Sequence, residues 1–200
     1  MTHFATRIIL DEHSAVAAVL HSILAMLRQG PGDKPGRFFD VLRAMLFYIS
    51  EFPERLHHPK ESNLLFPRLA RVRPEVMSTI NRLEEDHLRG EEKVRELQQL
   101  LLAWELIGES RRETFERQTT EYVTFYLEHM RIEENELLPL AEEALSTEDW
   151  TVLDAAFAAE RDPLAGGLRD PHYDRLFTRI VLKAPAPIGV GPSLENALAH

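Results

Sequence analysis

Histidine and glutamate recur in this chain at intervals that put two ligand side chains on one face of a helix. His57 and Glu61 stand four residues apart, as do His129 and Glu133, and His87 is followed by Glu91 at the same interval. His13 lies in an apolar stripe nearer the N-terminus. Four residues make about one helical turn, so each pair stacks on one side of its helix. Helices that turn such groups inward would build a polar pocket inside an apolar bundle. Buried charge persists there only when it is paired or bound to metal. The chemistry to expect is a metal centre with nitrogen and oxygen ligands.

Together His13, His57, Glu61, His87, His129 and Glu133 offer six ligand side chains. A single ion rarely takes six, whereas two ions sharing bridging carboxylates would use them all. The carboxylates would also offset the cationic charge, which neutral imidazoles cannot do. The set therefore favours a dinuclear centre, and its donors suit iron, copper, zinc or nickel. Taken singly, each residue has a plainer reading. A lone histidine on an apolar face is usually a satisfied core residue, and a His–Glu pair at this spacing is usually a surface pair. Agreement among the long helices carries the argument. His3 and His21 lack that support, and His172 and His200 belong to a C-terminal region where surface positions are expected. Glu133 is followed by Glu134 and Glu136, so part of that run is expected to be a solvated face.

The bulk composition agrees with one globular domain and excludes several classes. The chain has 200 residues, is 44% hydrophobic and 28% charged, and carries a formal net charge of −10. An acidic chain is a poor nucleic-acid binder, and Arg68, Arg71 and Arg73 form its densest basic cluster. There is no cysteine, which removes disulfides, thiolate metal sites and cysteine nucleophiles. The apolar stretch Ile8–Leu10 is interrupted by Asp11, Glu12 and His13, so no signal peptide is expected. No uninterrupted apolar run approaches the roughly 18 residues of a membrane span, and a cytoplasmic location is the default. No nucleophile elbow, phosphate loop or dinucleotide fingerprint appears.

The elements that must position these groups are helices. Ile9, His13, Val16, Leu20, Ile23 and Leu27 alternate spacings of four and three, which predicts a helix from Phe4 to Gln29, stopped by Gly30-Pro31-Gly32. A second helix starts near Arg37, with Pro53 and Pro59 predicting irregularity where His57, His58 and Glu61 lie. It resumes from Asn63 to Ala70. Pro74 opens a third, whose seam runs through Ile80, Leu83, His87, Gly90 and Val94. Glycine in that seam costs about 1 kcal/mol, so it makes room for something. A fourth runs from Arg111 to Leu145 with a kink at Pro139, and a shorter helix follows, capped by Ser146 and Asp149. The reading is all-α: an up-down-up-down four-helix bundle over residues 1–160, with a short extra helix, then an irregular appendage over 161–200 containing an amphipathic piece from Tyr173 to Leu182. No internal repeat stands out.

The segments Asp11-Glu12-His13, His57-His58-Pro59-Lys60-Glu61 with Leu64-Leu65-Phe66-Pro67, Glu85-Asp86-His87, and Glu128-His129-Met130-Arg131-Ile132-Glu133-Glu134 give a more specific reading. Over roughly residues 5–145 the chain resembles the hemerythrin-like family, the HHE cation-binding domains. The resemblance implies a four-helix bundle around two non-haem iron ions, oxo- or hydroxo-bridged, that bind dioxygen, nitric oxide or peroxide. It places one histidine on the first helix, a His–Glu pair on the second, a histidine on the third and a His–carboxylate pair on the fourth, which His13, His57, Glu61, His87, His129 and Glu133 match. Two departures stand out. Oxygen carriers of the family place a second histidine where this chain has Glu91. Their fourth-helix carboxylate follows its histidine by five residues, a position held here by Glu134. Glu91 and His58 are the alternatives for a seventh ligand. A carboxylate-richer site argues against simple reversible oxygen carriage. A ferritin-like reading needs Glu-x-x-His on two helices; Glu84 and His87 supply one, but Tyr126 stands where the second needs glutamate.

Function then divides three ways. The first reading is a di-iron module for sensing, storage or stress response. The second is a di-iron enzyme acting on peroxide or nitric oxide, or an iron donor in repair. The third is a structural bundle with coincidental histidines. A small ligand is the expected partner, with a homodimer allowed and neither nucleic acid nor membrane expected. Phe125, Ile132 and Leu83 are expected to wall the centre, and Tyr48, Tyr122 and Tyr126 to pack in the core nearby.

Overall fold

The computed structural model describes residues 2–167, 171–185 and 187–189. His200 lies outside them, as does the side chain of His172. Among the described residues every regular element is helical.

Helix α1 (Phe4–Gln29) has the predicted bounds and ends at Gly30, whose N–H bonds the Met26 carbonyl at φ +71°, a conformation that favours glycine. Helix α2 (Pro35–Ile49) runs on through a π-helical segment (Ser50–His57), one α turn (His58–Lys60), a second π segment (Glu61–Leu65) and α3 (Phe66–Val72). A 3₁₀ turn (Pro74–Val76) leads into α4 (Met77–Ile107). Helix α5 (Arg112–Ile132) passes through a third π segment (Glu133–Leu137) into α6 (Leu138–Ala144). Helices α7 (Thr147–Ala159) and α8 (Asp174–Lys183) complete the order. The capping box at Ser146 and Asp149 forms as the sequence predicts.

The π segments have a cause in the sequence. Each lies just ahead of a proline: Pro59, Pro67 and Pro139. A proline ring clashes with the carbonyl four residues back and cannot donate to it. A wider π turn relieves that clash without ending the helix. At two of the three, the asparagine four residues before the proline also ties back the preceding turn. Asn63 Nδ2 donates to the Pro59 carbonyl and Asn135 Nδ2 to the Arg131 carbonyl, both at 2.7 Å.

Two apolar clusters hold the helices together. One joins Val19, Leu42, Tyr48, Leu97, Trp104 and Phe115, and the other Ile9, Phe66, Leu83, Ile132, Trp150 and Phe157. Along each long helix the buried histidines and glutamates fall between residues of the first cluster and residues of the second. Helix α7 lies along α1, and α8 lies on α2, where Phe177 and Ile180 enter the first cluster. Each such side chain contributes about 2 kcal/mol on full burial. The described part of 161–200 is therefore folded onto the bundle. By length and composition α1 is apolar enough to cross a membrane, which the search for an uninterrupted run does not register; 61% of its most apolar window is buried inside the bundle.

Candidate metal centre

Six side chains meet between the two apolar clusters. His13, His57, Glu61, His87, His129 and Glu133 are all buried, Glu61 completely. Glu61 turns Oε1 to His57 Nε2 at 3.1 Å and Oε2 to His87 Nε2 at 3.6 Å. Glu133 turns Oε2 to His13 Nε2 at 3.3 Å and Oε1 to His129 Nε2 at 3.3 Å and His87 Nε2 at 3.8 Å. Each carboxylate thus gives one oxygen to the His13/His57 pair and one to the His87/His129 pair. Two ligand bonds of about 2.1 Å at right angles set donor atoms about 3 Å apart. The observed separations have that scale, and the donor sets His13–His57–Glu61 and Glu61–His87–Glu133 each fall within 4.8 Å.

The outer ring nitrogens are held from behind. His57 Nδ1 meets Glu12 at 2.7 Å, and His13 Nδ1 meets Glu134 at 3.0 Å. His87 Nδ1 meets the Ser62 hydroxyl at 3.0 Å, and His129 Nδ1 faces Asp86 at 3.8 Å, ion-pair range rather than a hydrogen bond. A carboxylate behind an imidazole keeps the proton on the outer nitrogen and aims the lone pair of the inner one.

These contacts expose a repeat that reading along the chain does not find. Glu12-His13 corresponds to Asp86-His87. His57-x₃-Glu61-x-Asn63-x-Leu65-x-Pro67 corresponds residue for residue to His129-x₃-Glu133-x-Asn135-x-Leu137-x-Pro139. In each half the acid before the first histidine faces the second histidine of the same half. The residue after each inner glutamate (Ser62 after Glu61, Glu134 after Glu133) holds the histidine of the other half. Superposing the two His-x₃-Glu motifs would have revealed this.

Whether the residues fit a metal is decided by their unsatisfied atoms. Among the described residues, both oxygens of Glu61 and of Glu133, His87 Nε2 and both nitrogens of His129 are buried without a hydrogen-bond partner. Buried polar groups are almost always satisfied, yet these orphans share one pocket. A cation between them answers all but His129 Nδ1, which has Asp86. Without one, the site must neutralise itself with protons. Burial works against a charged His129, but Glu133 and Asp86 outweigh it and push its pKa up to about 10. Burial likewise opposes a charged His57, but Glu61 and Glu12 raise it well above the usual range. Glu133 is held well below the ordinary carboxylate range, burial being overcome by His129, His87 and His13. Burial is overcome at Glu12 too, chiefly by His57.

The remaining sequence candidates fall in different places. His58 is buried and stacks on His87 with centroids 4.0 Å apart. It forms a third donor set with His87 and His129. Its own nitrogens are engaged, Nδ1 with Glu54 at 3.0 Å and Nε2 with the Tyr126 hydroxyl at 2.9 Å. Burial, then the neighbouring His87 and His129, push its pKa well down, so it is neutral. Glu91 belongs to none of the donor sets: it is about half exposed and ion-paired with Arg95, at the rim of a cleft that includes His58 and His87. Glu134 is 39% exposed and reaches only the back of His13, so Glu133 is the inner carboxylate. His3 stacks on Trp150, and His21 is exposed, both away from the cluster. Leu83 and Ile132 are buried as expected, while Phe125 is only partly so.

Sequence reasoning missed Glu54, Glu12 and Asp162 as buried acids. Glu54 fills the space that Gly90 leaves: a Cβ there would meet Glu54 Oε1 at 3.0 Å. Burial raises its pKa to about 8, against the Tyr122 hydroxyl that donates to it at 3.3 Å. Asp162 donates its N–H to Glu12 Oε1 at 2.9 Å and accepts the Tyr48 hydroxyl. Burial raises Asp162 to about 6. The tyrosines are thus core residues whose hydroxyls serve this buried acid network.

A buried layer of imidazoles and carboxylates, shared among long helices and with inner atoms that lack hydrogen-bond partners, defines a metal-binding helical bundle. The family model of the hemerythrin HHE cation-binding domain matches residues 5–141, more than half of the chain. The chain belongs to that family. No curated protein matches it.

Proposed function

We propose that this protein holds two non-haem iron ions in an up-down-up-down four-helix bundle and binds a small ligand there. Dioxygen, nitric oxide and peroxide are the ligand classes, and the role is sensing, storage or stress response in the cytoplasm. Residues 1–160 form the metal-holding bundle, and 161–200 are an appendage to it. His13 and His57 would hold one ion and His87 and His129 the other, with Glu61 and Glu133 supplying carboxylate oxygens to both. The single observation that carries this reading is that Glu61 and Glu133 each present one oxygen to either histidine pair. Donors of imidazole and carboxylate type suit iron, and the family is named for cation binding.

When bound, the ions would supply a site for a diatomic ligand or peroxide. The chain's own part is to position and shield it. A small pocket beside His13 and His57 is walled by Val16, Phe52, Leu56 and Met130, which restricts water. His58 is the seventh donor of choice, since Glu91 is turned to Arg95; to bind it must release Tyr126. A second reading, turnover of peroxide or nitric oxide, draws on the Glu54–His58–Tyr126 chain, which can hold and move a proton beside the centre.

The test is metal content per chain by elemental analysis of protein purified without added metal, paired with its ultraviolet–visible spectrum. Two irons per chain with charge-transfer absorption is the expected result. Zinc, or no metal, with the six ligand variants still folded would overturn it and leave a helical interaction protein.

A further inference from the structure

The two halves of the centre share a motif but not their supporting groups. Behind the His13/His57 pair stand two carboxylates in hydrogen-bond contact. Glu12 is nearly inaccessible and is itself fixed by the Asp162 N–H, and Glu134 is partly exposed. Behind the His87/His129 pair stand a neutral hydroxyl and a distant acid. Ser62 passes the His87 contact on to Glu84 at 2.9 Å. Asp86 lies 3.8 Å from His129 and is shared with Arg89 at 3.8 Å and Arg82 at 3.9 Å, which draw off its charge.

Covering differs in the same sense. The segment after α7 closes over the first pair and leaves only the small pocket beside His13 and His57: Asp162 binds Glu12 and Tyr48, and the Lys60 ammonium reaches the Glu160 carbonyl. No such cover lies over the second pair among the described residues. There His58 and His87 line a surface cleft whose rim carries Glu84 and Glu91, carboxylates that attract cations.

Resting on the dinuclear reading above, we infer that the two positions are inequivalent: the ion at His13/His57 is held tightly, and the ion at His87/His129 exchanges with solution through the cleft beside Ser62. A carboxylate behind a ligating imidazole raises its donor strength and fixes its ring, and losing such a partner costs roughly 10–100-fold in metal affinity. The first position has this support twice and a roof. The second has it once removed and a mouth. Glu12 and Ser62 are positioning residues in this scheme, since neither reaches the ions.

The experiment loads the full-length protein with ferrous iron under anaerobic conditions, counts the bound ions, and follows their removal by excess ferrous chelator in a stopped-flow spectrometer. Two phases of equal amplitude are expected, separated by about tenfold or more in rate. Ser62→Asp, which puts a carboxylate behind His87, slows the fast phase by about tenfold and leaves the slow one. Glu12→Gln and Glu134→Gln each speed the slow phase and leave the fast one; using both guards against one failing to fold, which circular dichroism of the metal-free variants reports. Release of both ions in one phase, or a Ser62→Asp effect on the slow phase, overturns the inference while sparing the dinuclear centre. Fewer than two ions before chelation overturns the dinuclear reading itself, and is seen before any rate is measured.

Discussion

His13 Nε2 and His57 Nε2 face each other across 3.2 Å, while the Nδ1 of each ring is committed to a carboxylate. With the protons drawn to Nδ1, two lone pairs point at one another. That arrangement is repulsive unless a cation or a proton stands between them.

Removing one of the two inner carboxylates tests this directly. Glu61→Gln takes the charge from a completely buried group that addresses both histidine pairs. We expect metal content to fall below two ions per chain by elemental analysis, with the helical circular dichroism unchanged. The metal-free variant should melt lower than the metal-free parent, because the charged His57 loses a buried ion-pair partner.

Metal binding should release protons. In the metal-free protein His129 titrates near 10 and His57 well above its usual range, so both are charged at neutral pH. Ligand imidazoles must be neutral. Affinity therefore rises with pH across the neutral range, and calorimetry in buffers of different ionisation enthalpy should register the released protons. In the metal-free protein the stabilising share of His129 is full below the unfolded value near 6.5 and is lost as pH rises through about 10, and that of His57 is lost in the same direction. Its melting temperature should fall over that interval, and that of the loaded protein should fall less.

Glu54 offers a second titration with a clean control. Burial raises its pKa from 4.5 to about 8. Its contribution is full below about 4.5 and is lost as pH rises through 8. Glu54→Gln cannot ionise, so the variant should match the parent near pH 4 and exceed it at pH 9 by up to about 5 kcal/mol in denaturant unfolding.

Gly90 and Glu54 should be coupled. Alanine at position 90 would approach Glu54 Oε1 to 3.0 Å. Alone, Gly90→Ala is expected to be neutral or destabilising, because crowding offsets the helical gain. In a Glu54→Ala background the same change should stabilise by about 0.5–1 kcal/mol. A double-mutant cycle by chemical denaturation measures the difference.

Phe177 is 1% exposed and anchors α8 in the first apolar cluster. Phe177→Ala should cost about 3–5 kcal/mol of stability. Metal content should stay at the parent value, since no metal-facing residue lies on α8.

What the chain alone determined is local. The spacing of Ile9, Val16, Leu20 and Ile23 set α1 to the residue at both ends, because apolar period and a glycine stop are properties of adjacent residues. Prolines foretold irregularity, and the residue types and four-residue intervals named the inward histidines and glutamates. What tertiary structure decided is how groups far apart in the chain meet. It chose Glu133 over Glu134 for the inner position and turned Glu91 to Arg95. It drew Glu12 to His57 and laid Asp162 on Glu12. It filled the Gly90 gap with Glu54 and set the two halves of a hidden repeat face to face. A one-residue step along a helix turns a side chain by about 100°, so small shifts at the π turns decide which carboxylate faces inward. Helical period assigns a face, but the partner across that face depends on how the helices pack.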